Sequence, residues 1–138
     1  GTGLQHTQIK SLQNAMLPLG IEVFATHAGE DHDNVVKTLI AKGYDIRITQ
    51  IASEGLSEKW LGKQIDKENF AELQKLSQQF GFHIGGEGGY YDTFVCDAPM
   101  FRKRIIIEDA ENFMEGRYSG YMVAKKIRLV DKKVKVEF

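Results

Sequence analysis

The stretch His83-Ile-Gly-Gly-Glu-Gly-Gly-Tyr-Tyr-Asp-Thr-Phe-Val-Cys-Asp-Ala-Pro-Met-Phe101 decides how the chain is read. Four of the chain's 14 glycines, Gly85, Gly86, Gly88 and Gly89, surround one carboxylate, Glu87, and a β-type run follows at once. Glycine carries a conformational entropy cost and is favoured where the backbone takes positive φ or approaches something closely, so the cluster predicts a shaped concave loop. Successive N–H groups in such a loop can form an anion nest, and a carboxylate among them can accept from an amine or hydroxyl. The competing reading is a bend that lets one element pack tightly on another.

Outward from this loop, the carboxyl-terminal side reads as β. Thr93 to Cys96, Arg102 to Ile107, Tyr121 to Val130 and the alternation Val134, Val136, Phe138 are the expected strands, with Asp131-Lys132-Lys133 as the last turn. On the amino-terminal side, Phe70, Leu73, Leu76 and Phe80 mark a helix that Asp66 caps and Gly81 stops. Before it, Ser57 is a candidate cap in the segment Glu54 to Gly62, where Trp60 and Leu61 pack the turn down.

Ile9, Leu12, Met16 and Leu19 form a helical stripe ended by Pro18 and Gly20. Ile21 to Ala25 fits a buried strand, Val35 to Ile40 a second helix stopped by Gly43, and Tyr44 to Ala52 the next strand. Helix, strand, helix, strand at short spacing signals parallel α/β winding. Two parallel strands would be poorly covered, so the amino-terminal side of that domain is expected to lie outside this sequence. The expected division is residues 1–53, an α/β part, and residues 54–138, a mixed α+β lobe; the family resemblance given below implies that the first belongs to a nucleotide-binding domain and that the second is the substrate lobe.

The chain has 138 residues, enough to bury a core, with 42% hydrophobic and 27% charged residues, the balance of a soluble globular protein. A net charge of −1 gives no global electrostatic case for nucleic acid or a membrane surface, and no apolar run approaches a membrane span. Lys103 and Arg104 are the best local source of positive charge near the loop. Cys96 is the only cysteine, which excludes an intramolecular disulfide and favours an intracellular, cytoplasmic chain.

His27, Glu30, Asp31, His32 and Asp33 are metal-donor types, but their spacing matches no closed site and an aspartate there serves as a helix cap, so no metal is expected. His27 sits at the carboxyl end of an expected strand, where open α/β sheets bind ligands. Gly86-x-Gly88 is not a dinucleotide fingerprint, because Tyr91 stands at the third glycine's position and a β run follows. Cys96 with His83 invites a thiol nucleophile, yet Phe94-Val95-Cys96 alternates as a core strand.

Two segments together resemble the diphthine-ammonia ligase family of the N-type ATP pyrophosphatase group. Glu54-Gly55-Leu56-Ser57-Glu58-Lys59-Trp60-Leu61-Gly62-Lys63-Gln64-Ile65-Asp66 is similar to one signature, and Gly86 to Thr93 with Val95, Asp97, Ala98, Pro99 and Phe101 to the other. Gln8, Gly20, Gly29, Asp31 and Gly43 fall in register further upstream.

The resemblance implies a partial parallel Rossmann-like sheet followed by the substrate lobe, the active cleft lying between them. It implies ATP and Mg2+, adenylation of the carboxylate of diphthine on translation elongation factor 2, and ammonia attack releasing AMP and pyrophosphate. By that resemblance Glu87 and Asp92 are the candidate catalytic residues. Gly86, Gly88, Gly89, Tyr90, Thr93 and Trp60 are the candidate substrate contacts, and Gly1, Gln8 and His27 the candidate nucleotide contacts.

The family's Ser-Gly-Gly-x-Asp-Ser phosphate loop has no counterpart here, so ATP and Mg2+ are expected only with a further amino-terminal part. Tyr90 replaces the loop's second glutamate, and Thr26-His27-Ala28 replaces Pro-Leu-Trp. The alternatives are a non-catalytic substrate-binding or assembly module, or a superfamily member acting on another carboxylate, as in cobalamin salvage. A homo-oligomer or a partner chain stays open.

Overall fold

A computed structural model describes residues 6–23 and 31–132. The α/β class stands: three helices, α1 (His6–Met16), α2 (His32–Ala41) and α3 (Lys67–Phe80), accompany four strands, β1 (Asp45–Ala52), β2 (Tyr91–Asp97), β3 (Lys103–Gly116) and β4 (Ser119–Asp131). The helices stop where the residue types dictate. Asp31 accepts from the Asp33 N–H at the start of α2, and Asp66 accepts from the Asn69 N–H at 2.8 Å at the start of α3. Gly81 ends α3 in the left-handed region at φ 76° and donates its N–H to Ser77 O. Ser57 occupies the expected cap position before Glu58–Trp60, but its side chain makes no capping bond.

The sheet has the order β2-β1-β4-β3, and every pair in it is antiparallel. The parallel winding expected around Tyr44 to Ala52 is therefore not what β1 does. Its partners lie some 40 and 70 residues further along the chain, beyond what local periodicity registers. The expected division at residue 53 falls at the end of β1, which joins β2 to β4, so the sheet crosses it. Of the strand expected at Ile21 to Ala25, residues 21–23 have no regular structure and 24–25 lie outside the described residues. The strand expected over 134–138 also lies outside them.

Buried isoleucines in β1 run 46, 48, 51, because a register shift against β2 between Ile48 and Gln50 inserts Thr49 and moves the inward face by one residue. β4 covers β1 only at Gln50 to Ala52. The rest of that edge is satisfied by residues 62–65: Gly62 N–H donates to Ile48 O at 2.7 Å, Ile48 N–H to Lys63 O at 3.2 Å, and Ile65 N–H to Ile46 O at 2.8 Å.

This strap presses Trp60 and Leu56 into a core completed by Ile48, Ile51 and Leu73, all five under 2% exposed. Full burial of such side chains contributes roughly 1.5–3 kcal/mol each. β3 is much longer than the expected Arg102 to Ile107, since Glu108 to Glu115 is too polar to read as a strand. Pairing with β4 supplies what apolar alternation does not, including Lys125 and Glu111 at 3.3 Å and Lys126 and Glu108 at 3.3 Å across the ladder.

Candidate functional site

The glycine-rich stretch forms the turn between α3 and β2. Gly86, Gly88 and Gly89 take φ of 77°, 92° and 85°, the left-handed region that side chains disfavour. The loop is tied from inside. Gly85 N–H donates to His83 Nδ1 at 3.0 Å and Gly86 N–H to His83 O at 2.9 Å. Tyr91, 4% exposed, donates its hydroxyl to Ile84 O, and Tyr90 O accepts from the Ala52 N–H at 2.9 Å. A Cβ on Gly86 would lie 2.6 Å from Tyr91 O, so the loop closes on the tyrosine backbone only because that position is glycine.

The result is an open concavity of about 710 Å³, lined by Gly85, Gly86, Gly88 and Gly89 with Glu87, Asp92 and Thr93, and bordered by Tyr91. Asp92 and Thr93 are exposed on β2, and Glu87 is half-buried. The structure thus places Glu87, Asp92, Thr93 and the glycines around one concavity.

Tyr90, expected as a substrate contact, instead packs against the core, its ring 6.3 Å from that of Phe82, and does not line the concavity. Trp60 is wholly buried, with Lys63 Nζ 4.6 Å from its ring centre, and has no surface to offer a ligand. Its part is to support the strap. Gly1 and His27 lie outside the described residues, as does the side chain of Gln8. Among the described residues no group of three His, Cys, Asp or Glu side chains is placed to hold a metal.

Tyr91 is the residue that sequence reading missed as the loop's anchor. Burial first, then the charges of Glu87 and Asp33, push its phenol well above the usual tyrosine range. Asp33, at the start of α2, accepts from Gln74 Nε2 of α3 at 3.0 Å. The signal available in sequence was an aromatic side chain at the first position of the strand after the glycines.

A pH prediction follows. The folded pKa of Tyr91 is raised, so its contribution is intact below about pH 10, where the unfolded phenol keeps its proton, and is lost as pH rises beyond that. Urea unfolding at pH 8 and pH 11 should show a fall in stability that is smaller in Tyr91→Phe than in the parent.

Cys96 is 2% exposed, and burial, followed by the Asp45 charge, raises its thiol pKa. A buried thiol held protonated is a core residue rather than a nucleophile. It should react with a thiol reagent only after denaturant is added.

The glycine-rimmed, carboxylate-bearing concavity lies on a small antiparallel α/β lobe and offers backbone and carboxylate groups rather than apolar surface. A phosphate cradle of the helix-terminal kind would need a helix after the glycines, and here a strand follows. The chain belongs to the diphthamide synthase C-terminal domain family, whose model matches residues 31–130.

The chain is similar to the diphthine-ammonia ligase of Homo sapiens, with 31% identity over 112 residues, covering 80% of this chain and 42% of the human protein. It is 34% identical over 112 residues to that of Danio rerio, covering 80% of this chain and 44% of the relative. With that of Schizosaccharomyces pombe it shares 32% identity over 111 residues, which cover 80% of this chain and 18% of the relative. The chain thus spans less than half the length of each of these relatives.

Proposed function

We propose that residues 31–132 are the substrate-side lobe of an ATP-dependent ligase that converts a carboxylate to an amide, with diphthine on translation elongation factor 2 as the acid and ammonia as the amine. The observation that carries this reading is that Glu87 lines a concavity rimmed by positive-φ glycines, within the residues the family model covers. The names of the relatives support the substrate pair. A cytoplasmic setting goes with it.

The residues present do not fit a triphosphate. Glu87 and Asp92 would oppose phosphate charge, and among the described residues none that lines the concavity belongs to a helix. On this reading ATP and Mg2+ would be held outside the concavity, by the nucleotide-binding part that the family resemblance implies. Carboxylates beside glycine backbone suit ammonia and the acyl centre it attacks.

Glu87 would accept a hydrogen bond from ammonia, hold it in line with the acyl carbon and take up a proton as the C–N bond forms and the bond from that carbon to the activating oxygen breaks, AMP leaving with the electron pair. The glycines let the substrate come within reach of backbone N–H groups without a side chain intervening. Asp92 and Thr93 border the same space from β2.

The test is Glu87→Gln in the complete protein, assayed by ammonia-dependent AMP release. Turnover should fall on the order of 10²-fold, with the thermal midpoint kept, since Glu87 makes no ion pair among the described residues. Unchanged turnover would remove Glu87 from the reaction.

A further inference from the structure

Gln50 of β1 pairs with Asp92 of β2 on one side and with Tyr121 of β4 on the other, and Tyr121 pairs with Phe113 of β3. Opposed residues of antiparallel strands point to the same face, so Asp92, Gln50, Tyr121 and Phe113 form one row across all four strands. The neighbouring row, Tyr91, Ile51, Gly120 and Met114, points the other way, toward the core. The row that begins at Asp92 is therefore the outer one, and all four of its members are exposed.

Phe94 lies two residues beyond Asp92 on β2 and shares that outer face, opposite Arg47 of β1. Among the described residues Phe94, Phe113 and Tyr121 are the only exposed aromatic side chains, at 44%, 37% and 40%. All three stand on one side of one sheet, and the rings of Phe113 and Tyr121 stack at 5.4 Å. Aromatic surface gathered in this way marks an interaction face, because such rings carry much of the binding energy of protein interfaces.

Asp92 also lines the concavity, so the face and the concavity are continuous. With strands about 4.8 Å apart, Tyr121 stands about 10 Å from Asp92, too far to touch a small acid at Glu87 but within the footprint of a protein that carries one. The cations beside these rings are already paired, Arg47 with Asp45 at 2.7 Å and Lys125 with Glu111 at 3.3 Å. Neither is free to gather the phosphates of a nucleic acid.

We propose that this face receives the protein that carries the acid. The rings of Phe94, Tyr121 and Phe113 rest on the surface around the carboxylate-bearing residue, which enters the concavity past Asp92. The inference rests on the amide-forming function proposed above and extends it from a site for one side chain to a footprint for its carrier.

Steady-state kinetics of the complete protein, with elongation factor 2 carrying diphthine as the varied substrate, test this. Phe113→Thr with Tyr121→Thr, threonine keeping the strand propensity, should raise KM for the factor at least about tenfold. The kcat and the KM for ammonia should stay at the parent's values. Phe113→Tyr with Tyr121→Phe keeps both rings and should keep the parent's KM for the factor. Met100→Thr with Leu129→Thr removes exposed apolar surface toward the other end of the β3-β4 hairpin and should leave that KM unchanged. Circular dichroism establishes that each variant is folded.

An unchanged KM in the doubly threonine-substituted row, or an equal rise in the Met100 and Leu129 control, would overturn the docking face and leave amide formation standing. A parent that amidates no elongation factor 2 would overturn the proposed function, and this inference with it. Sedimentation velocity should give the parent and the Phe113→Thr, Tyr121→Thr variant the same association state. A parent dimer that this variant dissolves would assign the face to a second copy and overturn the proposal.

Discussion

Trp60→Ala is expected to cost about 3–5 kcal/mol, a large share of the roughly 5–15 kcal/mol that holds a domain of this kind folded. The indole is completely buried among Ile48, Ile51, Leu56 and Leu73, and removing it opens a cavity between the strap and the sheet. The strap is held to β1 by three backbone hydrogen bonds, so it cannot simply collapse into the space. Trp60→Phe provides the contrast. The indole Nε1 has no hydrogen-bond partner among the described residues, and phenylalanine removes that buried donor along with part of the volume. The loss should then be about 1–2 kcal/mol, read from urea midpoints by circular dichroism because the parent's only tryptophan is gone.

Gly86→Ala should destabilise the fold by about 2–4 kcal/mol, combining the left-handed backbone cost with overpacking. The added methyl would sit 2.6 Å from Tyr91 O and 2.9 Å from its ring, and that backbone belongs to a strand hydrogen-bonded to β1 and cannot yield cheaply. Gly89→Ala separates the two causes. It has nearly the same φ, but a Cβ there meets nothing within 4 Å, so about 1–2 kcal/mol is expected. Equal losses at the two positions would show that the contact with Tyr91 carries no weight.

Helix positions were legible in the sequence because their signals are local. Asp31, Gly43, Asp66 and Gly81 mark ends that the structure keeps, and Phe70 and Leu73 show the buried face of α3. Sheet direction was not legible. The helix-strand-helix-strand order near the amino terminus is shared by parallel winding and by a strand recruited into a later antiparallel sheet, and β1 is the second kind. The carboxyl half of β3 was hidden because cross-strand charges, not alternation, hold it.

Around the concavity, the glycines and Glu87 announced themselves by composition, and the positive φ angles of Gly86, Gly88 and Gly89 accord with it. Tyr90 and Tyr91 did not. Two adjacent tyrosines at a strand start look equivalent in sequence. The pleat turns Tyr91 inward beside Ile51, while Tyr90 leans on Phe82.

The glycine turn is bolted down on both flanks, by the Tyr91 hydroxyl on Ile84 and by Tyr90 on β1. Contacts of this kind tie the turn to the sheet at both ends and disfavour its swinging as a flap. On the function proposed above, any closing movement over a bound acid would fall to whatever faces this turn, and that facing surface would set the choice of acid.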